Sequence, residues 1–200
     1  MSGFVLTTHF SAMRVAAAVV LASLQIILLP MAAAEARTRH ALVVGVGAYR
    51  DASGLAKLVA PPNDADYMRS ALESRGIDFV VDVLRDDDVR DKASFEAGLK
   101  RFLGRVRPGD EVLFYFSGHG FHVPGKGNYF LLPDAKAQTT YLKDLGQAAL
   151  RDLDTADKRT RRYADWIADV GVSEASIEKA ISESKANVVI VIVDASRNLV

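Results

Sequence analysis

An α/β three-layer sandwich around a mostly parallel sheet is the fold class this sequence predicts, and three observations predict it. Residues 41–46 (ALVVGV), 111–116 (EVLFYF) and 188–193 (VVIVIV) are apolar at nearly every position. Strands of that kind are buried on both faces, which demands parallel neighbours roofed by helices. The stretches between them switch to apolar spacings of three and four, the period of a helix with one inward face. The alternation continues over residues 37–200 without a repeat or a long linker, which suits one α/β domain.

The first segment carries an export signal. Residues 15–29, VAAAVVLASLQIILL, follow Arg14 and precede Pro30 and the small-residue stretch MAAAEA at 31–36. A basic flank, an apolar run and an Ala-x-Ala site describe a secretory signal peptide over residues 1–36, cleaved after Ala34 or Ala36. A start at Met13 makes the tidier signal. The run is short for an uncleaved membrane anchor. The expectation is a periplasmic or secreted protein with no membrane attachment after cleavage.

Within residues 37–200 the strand at 41–46 comes first. Asn63 then caps a helix with Ala65, Met68, Ala71 and Leu72 on one face. Residues 79–84 form a second strand, and Ser94 opens a helix with Phe95, Leu99, Phe102 and Leu103 inward, ended near Pro108-Gly109. After the strand at 111–116, residues 129–132 are a short extended piece stopped by Pro133. Residues 135–171 are polar and charged, an insertion with helix around 161–170. A helix over 173–184 turns Ile177, Ala180 and Ile181 inward, and 188–193 is the last strand. No covering helix follows it, so a truncated sheet or a missing second half is expected.

Half of the 200 residues are hydrophobic and a quarter are charged, which excludes a disordered chain. The 25 Lys and Arg balance the 25 Asp and Glu, leaving no cationic excess to neutralise phosphates and arguing against a nucleic-acid partner. There is no cysteine. That removes disulfides, thiolate metal sites and any thiol nucleophile.

In open parallel sheets ligands bind beyond the carboxyl ends of the strands. The first strand leads into Gly47-Ala48-Tyr49-Arg50 and a loop to Asn63-Asp64; the third leads into Ser117-Gly118-His119-Gly120; the last leads into Asp194-Ala195-Ser196-Arg197. A hydroxyl, an imidazole and two carboxylates thus converge on one edge. Each has a plainer role beside the chemical one. His119 can bond a backbone carbonyl, Ser196 can cap a helix, Asp64 suits a helix's first turn, and Asp194 can bond loop amides. Gly45-x-Gly47 begins like a dinucleotide fingerprint, but Arg50 occupies the third glycine position. The run Arg85-Asp86-Asp87-Asp88 reads as a solvated turn, and His9, His40 and His122 lack partners at metal-ligand spacing.

The series ALVVGVGAY, NDA, YFSGHG, YFLLPDA and VVIVIVDASRN resembles the caspase-like cysteine peptidases, the bacterial metacaspase-type branch in particular. The likeness covers residues 40–200 and corresponds to that family's large-subunit portion, without the small-subunit part that adds strands. It implies a caspase-like fold and an endopeptidase with a histidine–cysteine catalytic dyad. The histidine maps onto His119 and the cysteine onto Ser196. The oxyanion hole maps onto the backbone amides of Gly120 and Ser196. The pocket for the residue before the scissile bond maps onto Asp64 and Asp194, with Ser117 alongside, and takes Arg or Lys, since paired carboxylates suit a guanidinium.

The implied partners are a peptide or protein substrate bearing Arg or Lys and a small-subunit-like chain completing the sheet. No cofactor is implied. Of the calcium-binding aspartate quartet only Asp134 matches; the paired aspartates appear as Ser173-Glu174 and the last position lies past Val200, so a calcium site is not expected. Serine is nearly isosteric with cysteine but far less acidic than a thiol of pKa about 8.5. Two readings stay open: an impaired endopeptidase with His119 as base and Ser196 as nucleophile, and a pseudo-peptidase that binds basic segments without cutting them.

Overall fold

The computed structural model describes residues 37–50, 53–137, 140–141 and 155–199, with backbone alone for 196–199. The signal-peptide reading of 1–36 and part of the expected insertion, 138–139 and 142–154, lie outside these described residues. Among these described residues eleven elements follow in order, and they alternate as the periodicities require. They are β1 (Arg39–Gly45), α1 (Ala60–Leu72), β2 (Val80–Arg85), a single 3-10 turn (Asp86–Asp88), α2 (Lys92–Leu103), β3 (Glu111–Val123) and β4 (Gly127–Phe130). Then come α3 (Ala156–Val170), β5 (Val172–Ser173), α4 (Glu174–Glu183) and β6 (Val188–Leu199).

The strands form one mixed sheet in the order β2-β1-β3-β4-β5, with β6 along the other side of β3. The β1–β2, β1–β3 and β3–β6 pairs are parallel; β3–β4 and β4–β5 are antiparallel. Alternate residues of the central strands feed two cores, as the period of a strand dictates. Leu42, Val44, Phe114 and Phe116 join Phe95, Leu99, Phe102, Ile167, Ile177 and Ile181 of α2, α3 and α4 on one face. Ala41, Val43, Leu113 and Tyr115 meet Ala65 and Leu72 of α1 on the other. Each large side chain fully buried this way is worth about 1.5–3 kcal/mol. These are the three layers of the sandwich.

Four details differ from the sequence reading. Helix α1 starts at Ala60, because Pro61 and Pro62 fit the first turn, where an N–H has no partner to lose. Asn63 is therefore inside the helix, donating to the Val59 carbonyl at 3.3 Å, and Ala71 faces solvent. Helix α2 is capped by Asp91, with Ser94 as the reciprocal partner of a capping box. Helix α3 begins at Ala156, where Thr155 accepts from the Lys158 amide.

The fourth difference matters most. Ser117-Gly118-His119-Gly120 and Asp194-Ala195-Ser196-Arg197 are not turns after their strands; they continue β3 and β6. The two strands pair in register from Glu111↔Val188 to His122↔Leu199, and β4 closes on the far half of β3. Ladder partners on both sides carry the backbone through polar and glycine residues that locally signal a turn. Among the described residues no helix is long and apolar enough to cross a membrane.

Candidate functional site

The loop after β1 is fastened at both ends before any side chain reaches the site. Gly47 and Ala48 donate their amides to the Asp86 carboxylate at 2.7 and 2.8 Å. Asp86 is therefore not part of a merely solvated turn, although Asp87 and Asp88 beside it are exposed. Further along, Leu58 donates its amide back to the Gly47 carbonyl at 2.9 Å, closing the loop on itself. Gly45 and Gly47 are glycines for packing: an added Cβ would lie 2.4 Å from the Pro61 carbonyl oxygen and 2.1 Å from that of Leu58. With the Gly47 amide held by Asp86, the phosphate reading of Gly45-x-Gly47 is excluded.

From this loop Tyr49 reaches the end of the β3–β4 ladder. Its hydroxyl accepts from the His119 amide at 2.8 Å and donates to the Leu131 carbonyl at 3.0 Å, while Leu131 donates to the His119 carbonyl at 3.0 Å. The phenol thus bridges the two segments just past the last ladder pair, Gly120↔Phe130. Gly118 leaves the room for it, since a Cβ there would stand 2.9 Å from the Tyr49 oxygen. Tyr49 is fully buried, and burial pushes its phenol far above the ordinary range, so it stays a donor.

His119 itself is partly buried, with its ring against Tyr49 at a centroid separation of 4.6 Å. Its Nε2 lies 2.8 Å from the Ala56 carbonyl oxygen. A carbonyl can only accept, so Nε2 carries the proton and Nδ1 is the basic nitrogen of the neutral ring. The group that orients the imidazole is a main-chain carbonyl of the same fastened loop, the plainer role expected for His119.

Two carboxylates approach neighbouring positions of β3. Ser117, 2% exposed, donates to Asp64 at 3.1 Å. Tyr115 reaches Asp194 at 3.5 Å, and its phenol is pushed up first by burial and then by the negative charges of Asp194 and Asp64. Register places Ser117 opposite Asp194 and His119 opposite Ser196 across the β3–β6 pair. Asp64, Ser117, Asp194, His119 and the Ser196 backbone thus belong to one neighbourhood. Gly120 stands within β3, paired to Phe130 on one side and Arg197 on the other. Tyr49, Tyr115 and Asp86 are the contributors that sequence reasoning passed over; the two tyrosines looked like loop and core residues.

Asp134 does not suit a cation: it is ion-paired with Arg50 at 2.5 Å and lies 4.0 Å from Arg90. Glu174 accepts from the Asn128 side chain. Among the described residues no cluster of three or more His, Asp or Glu is arranged to hold a metal. A cleft of about 800 Å³ lies elsewhere, lined by α2 and α4 with Tyr129 and Val172, and holds none of these side chains.

A family model described as a caspase domain matches residues 38–156, more than half of the chain. Asp64, Ser117, His119 and Gly120 fall inside that match; Asp194 and Ser196 lie beyond it. No curated protein matches the chain. Among solved structures it is similar to protein GSU0716 from Geobacter sulfurreducens, at 19% identity and a TM-score of 0.49. That likeness covers 80% of this chain and 50% of the other, so the chain spans about half the length of the structure it matches.

Proposed function

From the premise that this chain belongs to the caspase-domain family of peptidases, we propose that it is an endopeptidase domain with an Arg- or Lys-selective pocket and a disabled nucleophile. The observation that carries the pocket is the approach of Asp64, on helix α1, to Ser117 of β3 and of Asp194, on β6, to Tyr115 of β3. Two carboxylates at one mouth suit a guanidinium or an ammonium and repel an acidic side chain.

In this reading His119 Nδ1 takes the proton from the nucleophile as the latter attacks the peptide carbonyl. The oxyanion forms against the amides of Gly120 and Ser196, and the proton passes to the leaving amine as the acyl intermediate appears. Water then repeats the sequence and releases the acid. Two features weigh against turnover. A serine hydroxyl is much harder to deprotonate than a thiol, and the imidazole Nε2 is held by a neutral carbonyl rather than by a carboxylate. Both favour the second reading, a pseudo-peptidase that holds basic segments without cutting them. The Gly120 amide also needs release from strand pairing before it can serve an oxyanion.

The proposed setting is outside the cytoplasm, through the N-terminal signal, with a small-subunit-like partner along β6. Exposure of Val188, Val189, Ile190 and Ile192 on that strand supports the partner.

The deciding experiment compares the chain with its Ser196→Cys variant on fluorogenic peptides carrying Arg, Lys or Asp before the reporter. Cleavage by the cysteine variant alone, after Arg and Lys, is the expected result. In that variant Asp64→Ala or Asp194→Ala should weaken an Arg-peptide aldehyde by about tenfold or more, as loss of a charge-assisted contact requires. Unchanged affinity removes the acidic-pocket assignment, and cleavage after Asp removes the specificity.

A further inference from the structure

We propose that Tyr49, locked in place by Asp86, is a positioning residue that sets the tautomer and aim of His119. The inference rests on the reading of His119 as the base, but its geometry stands on separate observations. One loop supplies both contacts to the histidine: the Tyr49 hydroxyl takes its backbone amide, and the Ala56 carbonyl takes its Nε2 proton. Anything that shifts the loop therefore moves the imidazole relative to its own backbone.

Three fasteners resist that shift. Asp86 holds two successive amides immediately before Tyr49. Arg50, the next residue, donates its amide to the Pro133 carbonyl at 3.2 Å. Leu58, two residues after Ala56, donates to Gly47. Of these groups Tyr49 alone joins the loop both to β3 and to Leu131, the residue that follows β4. A phenylalanine would fill the same volume; only the hydroxyl answers the His119 amide and the Leu131 carbonyl, and a buried polar group left unanswered is costly. The hydroxyl is thus explained by a duty toward His119 rather than by packing.

The test reads the histidine directly, by nitrogen-edited NMR of the imidazole in the chain as it stands. The unaltered protein should show one ring tautomer with the proton on Nε2. Tyr49→Phe should fold yet lose that single state, with a mixture of tautomers and a displaced His119 titration. Asp86→Ala should move His119 in the same sense, whereas Asp86→Asn, which keeps an acceptor for both amides, should restore the parent signal. A folded Tyr49→Phe with the parent tautomer and titration overturns the proposal. If Tyr49→Phe does not fold, Asp86→Ala decides in its place, and an unmoved His119 there overturns it equally.

In the Ser196→Cys background the same substitutions should lower kcat by roughly 10- to 100-fold with little change in KM, the signature of a misplaced base. Absence of cleavage in every variant counts against the peptidase reading alone, because the NMR result does not depend on turnover.

Discussion

Strands β1 and β6 flank the same neighbour, β3, both parallel to it and both written in Val, Ile, Leu and Ala through their inner halves. Yet β1 is buried at every position from His40 onward, while Val188, Val189, Ile190 and Ile192 of β6 keep between 36% and 43% of their surface. The difference is in what covers them. Helix α1 presses so closely on β1 that Gly45 has no room for a methyl, and the α2–α4 core closes the opposite face. Among the described residues β6 has only Val191, Val193 and Ala195 packed against that core. An apolar run states a demand for burial; neighbours in space decide whether it is met.

The sharpest way to break this comparison is a matched pair of truncations followed by urea unfolding. Leu42→Ala in β1 should cost about 2–5 kcal/mol, the range for a large-to-small change in a closed core. Ile190→Ala in β6 should cost less than about 1 kcal/mol, because its site is open and already partly solvated. Equal losses would mean that β6 is covered in solution and that the two strands differ only in appearance. A smaller effect sharpens the cause. Gly45→Ala should cost about 1–3 kcal/mol by forcing α1 off β1, since the new methyl meets main-chain oxygen rather than a side chain that can turn away. A neutral Gly45→Ala would show that α1 is free to give way and that its close approach does not explain the burial of β1.

The same contrast marks how far the sequence could be read. The strand cores and the inward faces of α2 and α4 were legible because continuous apolar runs and spacings of three and four are local properties of the chain. Phe95, Leu99, Ile177 and Ile181 are buried as their spacing requires. The far half of β3 was not legible: Ser117-Gly118-His119-Gly120 carries turn residues, and only pairing to β4 and β6 makes it a strand. The expectation that Asp64, Ser117, His119 and Asp194 lie together rested on the carboxyl ends of parallel strands and needed no side-chain detail. What held them did. Asp86 lies in an acidic run whose exposed neighbours disguise it, and the partner of His119 is a backbone carbonyl, which has no residue type at all. Long-range contacts made by ordinary main-chain groups leave no mark on composition or period.

The last and smallest effect concerns the residue from which both flanking strands are hung. Asp110 precedes β3, and its carboxylate accepts from the Thr38 amide at 3.0 Å, the Arg107 amide at 2.8 Å and His40 Nε2 at 3.2 Å, which anchors the start of β1. Its carbonyl accepts from Asn187 at 2.7 Å, which anchors the start of β6. Burial raises the carboxyl pKa, but the amides of Arg107 and Thr38, with His40, outweigh it and hold the group below the usual carboxylate range. A depressed folded-state pKa contributes stability that is present above the unfolded value of about 3.9 and is lost as the pH falls through the folded one. Unfolding midpoints should therefore drop with acidification below about pH 4, and Asp110→Asn should flatten that part of the profile while lowering the plateau above it. Because the side chain serves β1 and the carbonyl serves β6, hydrogen exchange in Asp110→Asn should quicken at Arg39–Ala41 and stay unchanged at Val188–Ile190. Quickening at both ends would mean that the two strands share one anchor, and the contrast between a closed and an open flank of β3 would then stop short of their first residues.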